Sequence, residues 1–253
     1  MNIELLTLSE IKEVNGSQGN FTVSVVQNPR YVDVDKCIAC GLCAEKCPKK
    51  VADEYNEGLA QRKAIYVPYS QAVPLKYTID GKNCIYLEKG KCGACEKYCP
   101  SGAINFHDAE RTLTIQVGSI ILAPGFKAFD PSRFDNYAWA NLPDVVTALE
   151  FERVLSATGP YSGHLVRPSS KRLKNQTETH PQKIAWLQCV GSRDLNRCDN
   201  GYCSSICCMQ SLKFDHLVME RTDAEVYNFY IVLRTPFKDY EEFYQRILEE
   251  GGH

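Results

Sequence analysis

The chain has 253 residues, 44% hydrophobic and 24% charged, with 29 basic against 31 acidic side chains and a formal net charge of −2. That length holds one or two domains of ordinary soluble composition, and the charge balance gives no electrostatic footprint for DNA or RNA. No apolar run approaches the roughly 18 residues of a membrane span, and MNIELLTLSE has no basic stretch ahead of an apolar one, as a secretion signal has. The outlier is cysteine, with 13 residues, an odd number in a chain that is not small. Without an export signal the expected compartment is the reducing cytoplasm, where clustered cysteines are metal ligands rather than disulfides.

Along the chain, Phe21 to Val26 is a short β-rich run after the turn NGSQGN. Leu113, Ile115 and Val117 alternate with polar residues, the pattern of a half-buried strand. SIILAPG, after Gly118, has the composition of a fully buried strand. The strands on both sides belong to one sheet in this reading, and the cysteine-rich stretch between them is an insertion, which a surface connection tolerates at small entropic cost.

Beyond an aromatic-rich loop, Thr147 and Glu150 are spaced as a capping box for a helix carrying Phe151, Val154 and Leu155. The polar linker PSSKRLKNQTETHPQ leads to a strand, KIAWLQCV. A helix around Cys203 to Glu220, a strand at Glu225 to Leu233 and a helix at Tyr240 to Glu250 follow, an order that predicts parallel strands in an α/β layer. Four segments result: residues 1–30, 31–110, 111–180 and 181–253.

The first cysteine group is CIACGLCAEKCP, with Cys37, Cys40, Cys43 and Cys47 spaced C-x2-C-x2-C-x3-C-P. Three thiolates in seven residues wrap one face of an iron–sulfur cubane, and the fourth, before proline, serves the other cluster of a two-cluster ferredoxin. Zinc is disfavoured, because tetrahedral zinc sites use separated C-x2-C pairs. The second group, Cys84, Cys92, Cys95 and Cys99, keeps the last two spacings and the Cys-Pro. Its first member lies eight positions ahead of the second, with a small inserted loop between. The expected wiring joins Cys37, Cys40 and Cys43 to Cys99, and Cys84, Cys92 and Cys95 to Cys47. Such small units need metal staples, and their function is one-electron relay.

The third group contains Cys189, Cys198, Cys203, Cys207 and Cys208. On the predicted helix Cys203 and Cys207, four apart, share a face, and Cys189 at a strand end is placed to close a four-thiolate site. Spacing alone leaves both a metal site and buried apolar cysteines open. Lys46, Lys49 and Lys50 read as a solvated face that can also dock an acidic ferredoxin. His164 and Arg167 read as loop residues, with a flavin phosphate as the alternative.

RYVDVDKCIACGLCAEKCP, EGLAQRKAIYVPYSQAVP, GSIILAPGF, VVTALEFERVLSATGPYSGHLVRP, QCVGSRD, YCSSICCM and EEFYQRILEEG together resemble the A-subunit family of heterodisulfide reductase. The resemblance implies a two-cluster ferredoxin domain, residues 31–110, inserted into part of a thioredoxin reductase-like flavoprotein α/β fold. It implies an oxidoreductase of anaerobic metabolism relaying electrons between flavin and the clusters, with ferredoxin and the other heterodisulfide reductase subunits as partners. It implies a third [4Fe–4S] cluster on Cys189, Cys203, Cys207 and Cys208, leaving Cys198 free. It also sets Lys213 near the flavin N5, where the residue alone reads as a solvated helix lysine. None of the 16 glycines forms the G-x-G-x-x-G that cradles a pyrophosphate, Pro124 departs from the flavin-fold strand end, and GSRD follows Val190. The chain therefore resembles the middle of such a protein, FAD is expected only in the complete family protein, and NAD is not expected. The rival reading is a stand-alone polyferredoxin-type carrier without flavin.

Overall fold

The computed structural model describes residues 3–172 and 179–253, and the middle of the predicted polar linker, residues 173–178, lies outside them. The chain divides into two compact units, Met1–Gly125 and Phe126–His253. It is a mixed α/β protein, and among the described residues no helix is long and apolar enough to cross a membrane.

In the first unit, β1 (Ser9–Ser17) and β2 (Asn20–Gln27) form an antiparallel hairpin. Its turn is tight: Ser17 pairs with Asn20, and a Cβ on Gly16 would stand 2.2 Å from the Asn20 carbonyl oxygen. β1 is an element that the sequence pattern does not announce. Its side chains lie almost entirely in solvent, so it carries no apolar alternation to read. β2 buries Val23, Val25 and Val26 and pairs along its other edge with β7 (Arg111–Val117), from Phe21 opposite Val117 to Gln27 opposite Arg111. The three-stranded sheet thus joins segments on either side of the cysteine-rich stretch.

That stretch leaves and re-enters the sheet at one point. The Asp108 carboxylate accepts from the backbone N–H of both Arg30 and Tyr31, at 2.9 and 3.1 Å. Val32 bridges Ile104, and Asp33 N–H reaches the Ala103 carbonyl at 2.7 Å. Between these ends run α1 (Leu42–Lys46), the ribbon β3 (Lys50–Ala52) and β4 (Gln61–Lys63), the pair β5 (Ile65–Tyr66) and β6 (Thr78–Ile79), α2 (Ile85–Lys89) and α3 (Ala94–Lys97). The buried core is Val32, Ile65, Ile79, Ala103 and Phe106 with Cys37, Cys43, Cys84 and Cys95. With nearly half of that core made of thiols, its cohesion depends on what the thiols bind.

The fully buried strand expected at SIILAPG is not formed. Residues 119–125 are irregular, and Ile121 and Leu122 are 93% and 82% exposed. A strand exists only through a partner's ladder, and no described strand pairs with this run.

In the second unit α4 (Ala148–Leu155) carries the predicted capping box. Glu150 N–H donates to Thr147 Oγ1 at 3.2 Å, and the Glu150 carboxylate accepts from Thr147 N–H at 2.6 Å and from Trp139 Nε1 at 3.0 Å. After α5 (Pro168–Arg172), β8 (Lys183–Leu187) lies parallel to β9 (Glu225–Phe229), joined through α6 (Cys207–Arg221), and α7 (Tyr240–Glu249) follows. Phe151, Trp186 and Phe214 form an aromatic cluster with ring centroids 4.7 to 5.4 Å apart.

α6 begins four residues later than predicted. Ser205 has a left-handed backbone, φ 59°, and its N–H donates to Cys203 Sγ at 3.3 Å. Ser204 and Ser205 are residues whose side chains compete with helix hydrogen bonds, and the helix starts only beyond them. Cys203 and Cys207 therefore do not share a helical face. β9 also ends earlier than expected, leaving Tyr230 to Val232 exposed.

Candidate metal centres

The first cysteine motif is shaped by turns. Asp33 Oδ1 accepts from Asp35 and Lys36 N–H, and Cys37 N–H bonds the Asp33 carbonyl at 2.9 Å. Ala39 and Gly41 are both left-handed, φ 56° and 85°, which curls the chain so that Cys37, Cys40 and Cys43 face one space. Cys43 rides on α1, whereas Cys47 follows that helix in extended conformation, ψ 122°, ahead of Pro48. The second motif repeats the device, with Cys92 and Gly93 left-handed, φ 115° and 72°, and Cys95 on α3. The eight-position gap is filled by α2, not by a loop. It starts directly after Cys84 and ends at left-handed Gly90, so the insertion folds into a helical turn and Cys84 returns to the site.

Two recesses result. One, of about 300 Å³ including its open mouth, is lined by Cys37, Cys40, Cys43 and Cys99, with Val32, Tyr77 and Ile104 among the apolar walls. The other, about 340 Å³ on the same measure, is lined by Cys84, Cys92, Cys95 and Cys47, with Ile65, Ile79 and Tyr86. In each, the first and third cysteine of the local motif are buried and the second is exposed.

A tetrahedral zinc with Zn–S of about 2.3 Å draws its sulfurs to within ~4 Å of one another. Among the described residues no three His, Cys, Asp or Glu side chains converge on one such point. In each recess the thiols line a shared space.

Burial pushes the Cys43 thiol up to about 11 and the Cys95 thiol up to about 12. Iron binding must displace those protons, so loading is linked to pH. At Cys99 burial also pushes upward, but Ala103 N–H at 3.3 Å and the Ser101 hydroxyl at 3.6 Å outweigh it, and the thiol is lowered.

In the second unit Cys189 follows β8 with φ 61°, while Cys207 and Cys208 open α6. The adjoining Cys207 and Cys208 side chains act on each other, holding Cys207 low and raising Cys208, and the Cys189 backbone adds to the lowering of Cys207. Cys189, Cys207 and Cys208 are thus neighbours, and Cys203 is tied to Ser205. Cys198 is half-buried and donates to the Asp194 carbonyl at 3.0 Å. Lys213 and His164 are exposed. Arg167 pairs with Asp144 at 2.6 Å, the loop role expected of it.

A polar chain behind the third group escaped sequence reading. Asp215, fully buried, accepts from Trp186 Nε1 and Asn228 Nδ2, both at 2.5 Å. Gln188 Nε2 donates to Asn228 Oδ1 at 3.3 Å and to Ser211 Oγ at 2.5 Å, and Ser211 Oγ donates to the Cys207 carbonyl at 3.0 Å. The chain ties the end of β8 to the first turns of α6. The available signal was a lone Asp on the apolar side of a helix, which one sequence does not separate from a surface residue.

Among the described residues no glycine-rich turn joins a strand to a helix N-terminus, and the apolar run at Ile121 is unpaired.

Residues 36–103 match the 4Fe–4S dicluster domain family, a span that includes all eight cysteines of the two recesses. Over 252 residues the chain is 43% identical to the iron–sulfur A-subunit of CoB–CoM heterodisulfide reductase from Methanocaldococcus jannaschii, covering 99% of this chain and 36% of that protein. The A-subunit of the H2/formate:CoB–CoM heterodisulfide, ferredoxin reductase of Methanococcus maripaludis is 44% identical, with the same coverage. A protein of Archaeoglobus profundus described as like the heterodisulfide reductase A-subunit is 40% identical over 289 residues, 99% of this chain and 40% of its own. The chain thus spans little more than a third of the length of these relatives.

Proposed function

We propose, on the premise that the chain is a homologue of the heterodisulfide reductase A-subunit over 99% of its length, that it is the iron–sulfur electron-transfer segment of such an oxidoreductase. The observation that carries the proposal is the composition of the two recesses, each ringed by three cysteines of one motif and the fourth of the other. Cys37, Cys40, Cys43 and Cys99 would hold one [4Fe–4S] cluster, and Cys84, Cys92, Cys95 and Cys47 the second. The clusters supply one-electron redox chemistry at potentials between roughly −700 and +450 mV. The protein's part is to exclude water with Ile65, Ile79 and Phe106, to leave the Cys40 and Cys92 edges toward solvent, and to cross-link its two halves through both sites.

A third [4Fe–4S] cluster belongs to the same proposal, on Cys189, Cys203, Cys207 and Cys208, with Cys203 brought in by reorganisation of the turn at Ser205. The family resemblance sets this third site near a flavin in a thioredoxin reductase-like fold, with Lys213 toward the flavin N5. The other subunits of a heterodisulfide reductase-like complex and a ferredoxin are the proposed partners, and the cytoplasm the compartment. The test is anaerobic loading of the chain with iron and sulfide. Broad absorption near ~400 nm with about eight irons for two clusters, or about twelve for three, supports the proposal. Stoichiometric zinc with no iron overturns it. FAD added to the chain alone should not bind tightly, and submicromolar, saturable quenching would contradict that part.

A further inference from the structure

In each recess one cysteine offers its backbone carbonyl to the ammonium of a lysine. Lys76 Nζ lies 2.5 Å from the Cys37 carbonyl oxygen, at the recess of Cys37, Cys40, Cys43 and Cys99. Lys63 Nζ donates to the Cys47 carbonyl, at the recess of Cys84, Cys92, Cys95 and Cys47. Both lysines come from the stretch between the two motifs, Lys63 as the last residue of β4 and Lys76 just ahead of β6. Both are half-buried, so solvent screens them less than surface charges.

Their neighbours sharpen the point. Arg62, beside Lys63, is neutralised by Glu54 and Asp80 at 2.8 and 3.0 Å. Among the described residues neither Lys63 nor Lys76 has such a carboxylate partner. The loop that presents Lys76 is held in place by Arg30, whose Nη1 donates to the carbonyls of Lys76 and Tyr77 at 3.4 and 3.3 Å. A half-buried ammonium bonded to a main-chain carbonyl, with no carboxylate to cancel it, is a positive charge held beside a cysteine of the recess.

We propose that Lys63 and Lys76 are paired potential-setting residues, each raising the reduction potential of the one cluster whose cysteine carbonyl it binds. This rests on the reading that both recesses hold [4Fe–4S] clusters. Reduction adds one electron to a cluster and no proton, so the reduced form gains one unit of negative charge. A nearby cation stabilises that form over the oxidised one, and cluster potentials respond to local charge and solvent exposure.

The experiment is an EPR-monitored redox titration, with dithionite as reductant, of the anaerobically loaded chain carrying Lys63→Met, Lys76→Met, or the charge-keeping Lys63→Arg and Lys76→Arg. Each Met variant should shift one potential downward, by about tenfold in the reduction equilibrium, ~59 mV for a one-electron couple. The two variants should shift different clusters, and the Arg variants should stay near wild type. If the clusters load and neither Met variant moves a potential, or both move the same one, the proposal is overturned while the two-cluster reading stands. Loss of iron in the Met variants with full iron and unshifted potentials in the Arg variants would make these lysines structural bolts, which also overturns it. A wild-type chain that takes up no iron removes the reading beneath it.

Discussion

The two thiol-rich regions are built on opposite plans. In the first unit three cysteines of each site sit within one short stretch, aimed by left-handed residues such as Gly41 and Gly93, and only the fourth arrives from far along the chain. In the second unit Cys189 comes from a strand end and Cys207 and Cys208 from the start of a helix. They are brought together by the tertiary packing of β8 on α6 and by the hydrogen-bonded chain from Asp215 to the Cys207 carbonyl. A site of the first kind depends on its metal to hold its core together. A site of the second kind rests on a scaffold of Phe214, Val218, Val226 and Ile247 that is fully formed from side chains.

This contrast is broken most directly by removing a ligand from each region. Cys43→Ser should cost about four irons and lower the thermal transition of the cysteine-rich stretch, because one of two staples through a thiol-based core is lost. Iron analysis with anaerobic calorimetry reads both effects. Cys208→Ser should also cost about four irons, yet leave the thermal transition of the second unit close to wild type. Cys198→Ser should leave iron unchanged, and iron loss on changing Cys198 but not Cys208 would show the ligands misassigned.

A smaller effect sharpens the second half of the comparison. Both Asp215 oxygens accept from N–H donors, so Asp215→Asn sets an amide N–H against one of them and should destabilise the second unit by ~1–3 kcal/mol in denaturant titrations. Burial raises the Asp215 carboxyl to about 6, against the lowering pull of Asn228 and Trp186. The folded state therefore holds this proton where the unfolded state, near ~4, has released it. Stability should fall as pH rises through that window and level off above about 6, and the Asn variant should lack this slope. The smallest effect belongs to the helix cap: Thr147→Ala should cost about 1 kcal/mol, with no change in iron content.

The same contrast explains what could be read in advance. The gathering of Cys37 to Cys99 at two recesses was legible because spacing encodes local geometry, and so were the Thr147–Glu150 cap and the parallel β8–α6–β9 order. The turn before α6 was not, since the left-handed Ser205 is decided by local hydrogen bonding that no periodicity announces. The run at Ile121 has the apolar composition of a buried strand, but composition does not supply a pairing partner. α2 was hidden in a gap too short to show a helical period. Asp215 and its donors, Trp186 and Asn228, are far apart in sequence, and only packing reveals that they meet.

The central claim is the crossed membership of the two recesses, and cluster-resolved EPR of single Cys→Ser variants tests it most directly. Cys37→Ser and Cys99→Ser should perturb the same cluster signal, and Cys84→Ser and Cys47→Ser the other. If Cys47→Ser instead perturbs the signal that Cys37→Ser perturbs, each motif serves its own cluster, and the crossed arrangement is wrong.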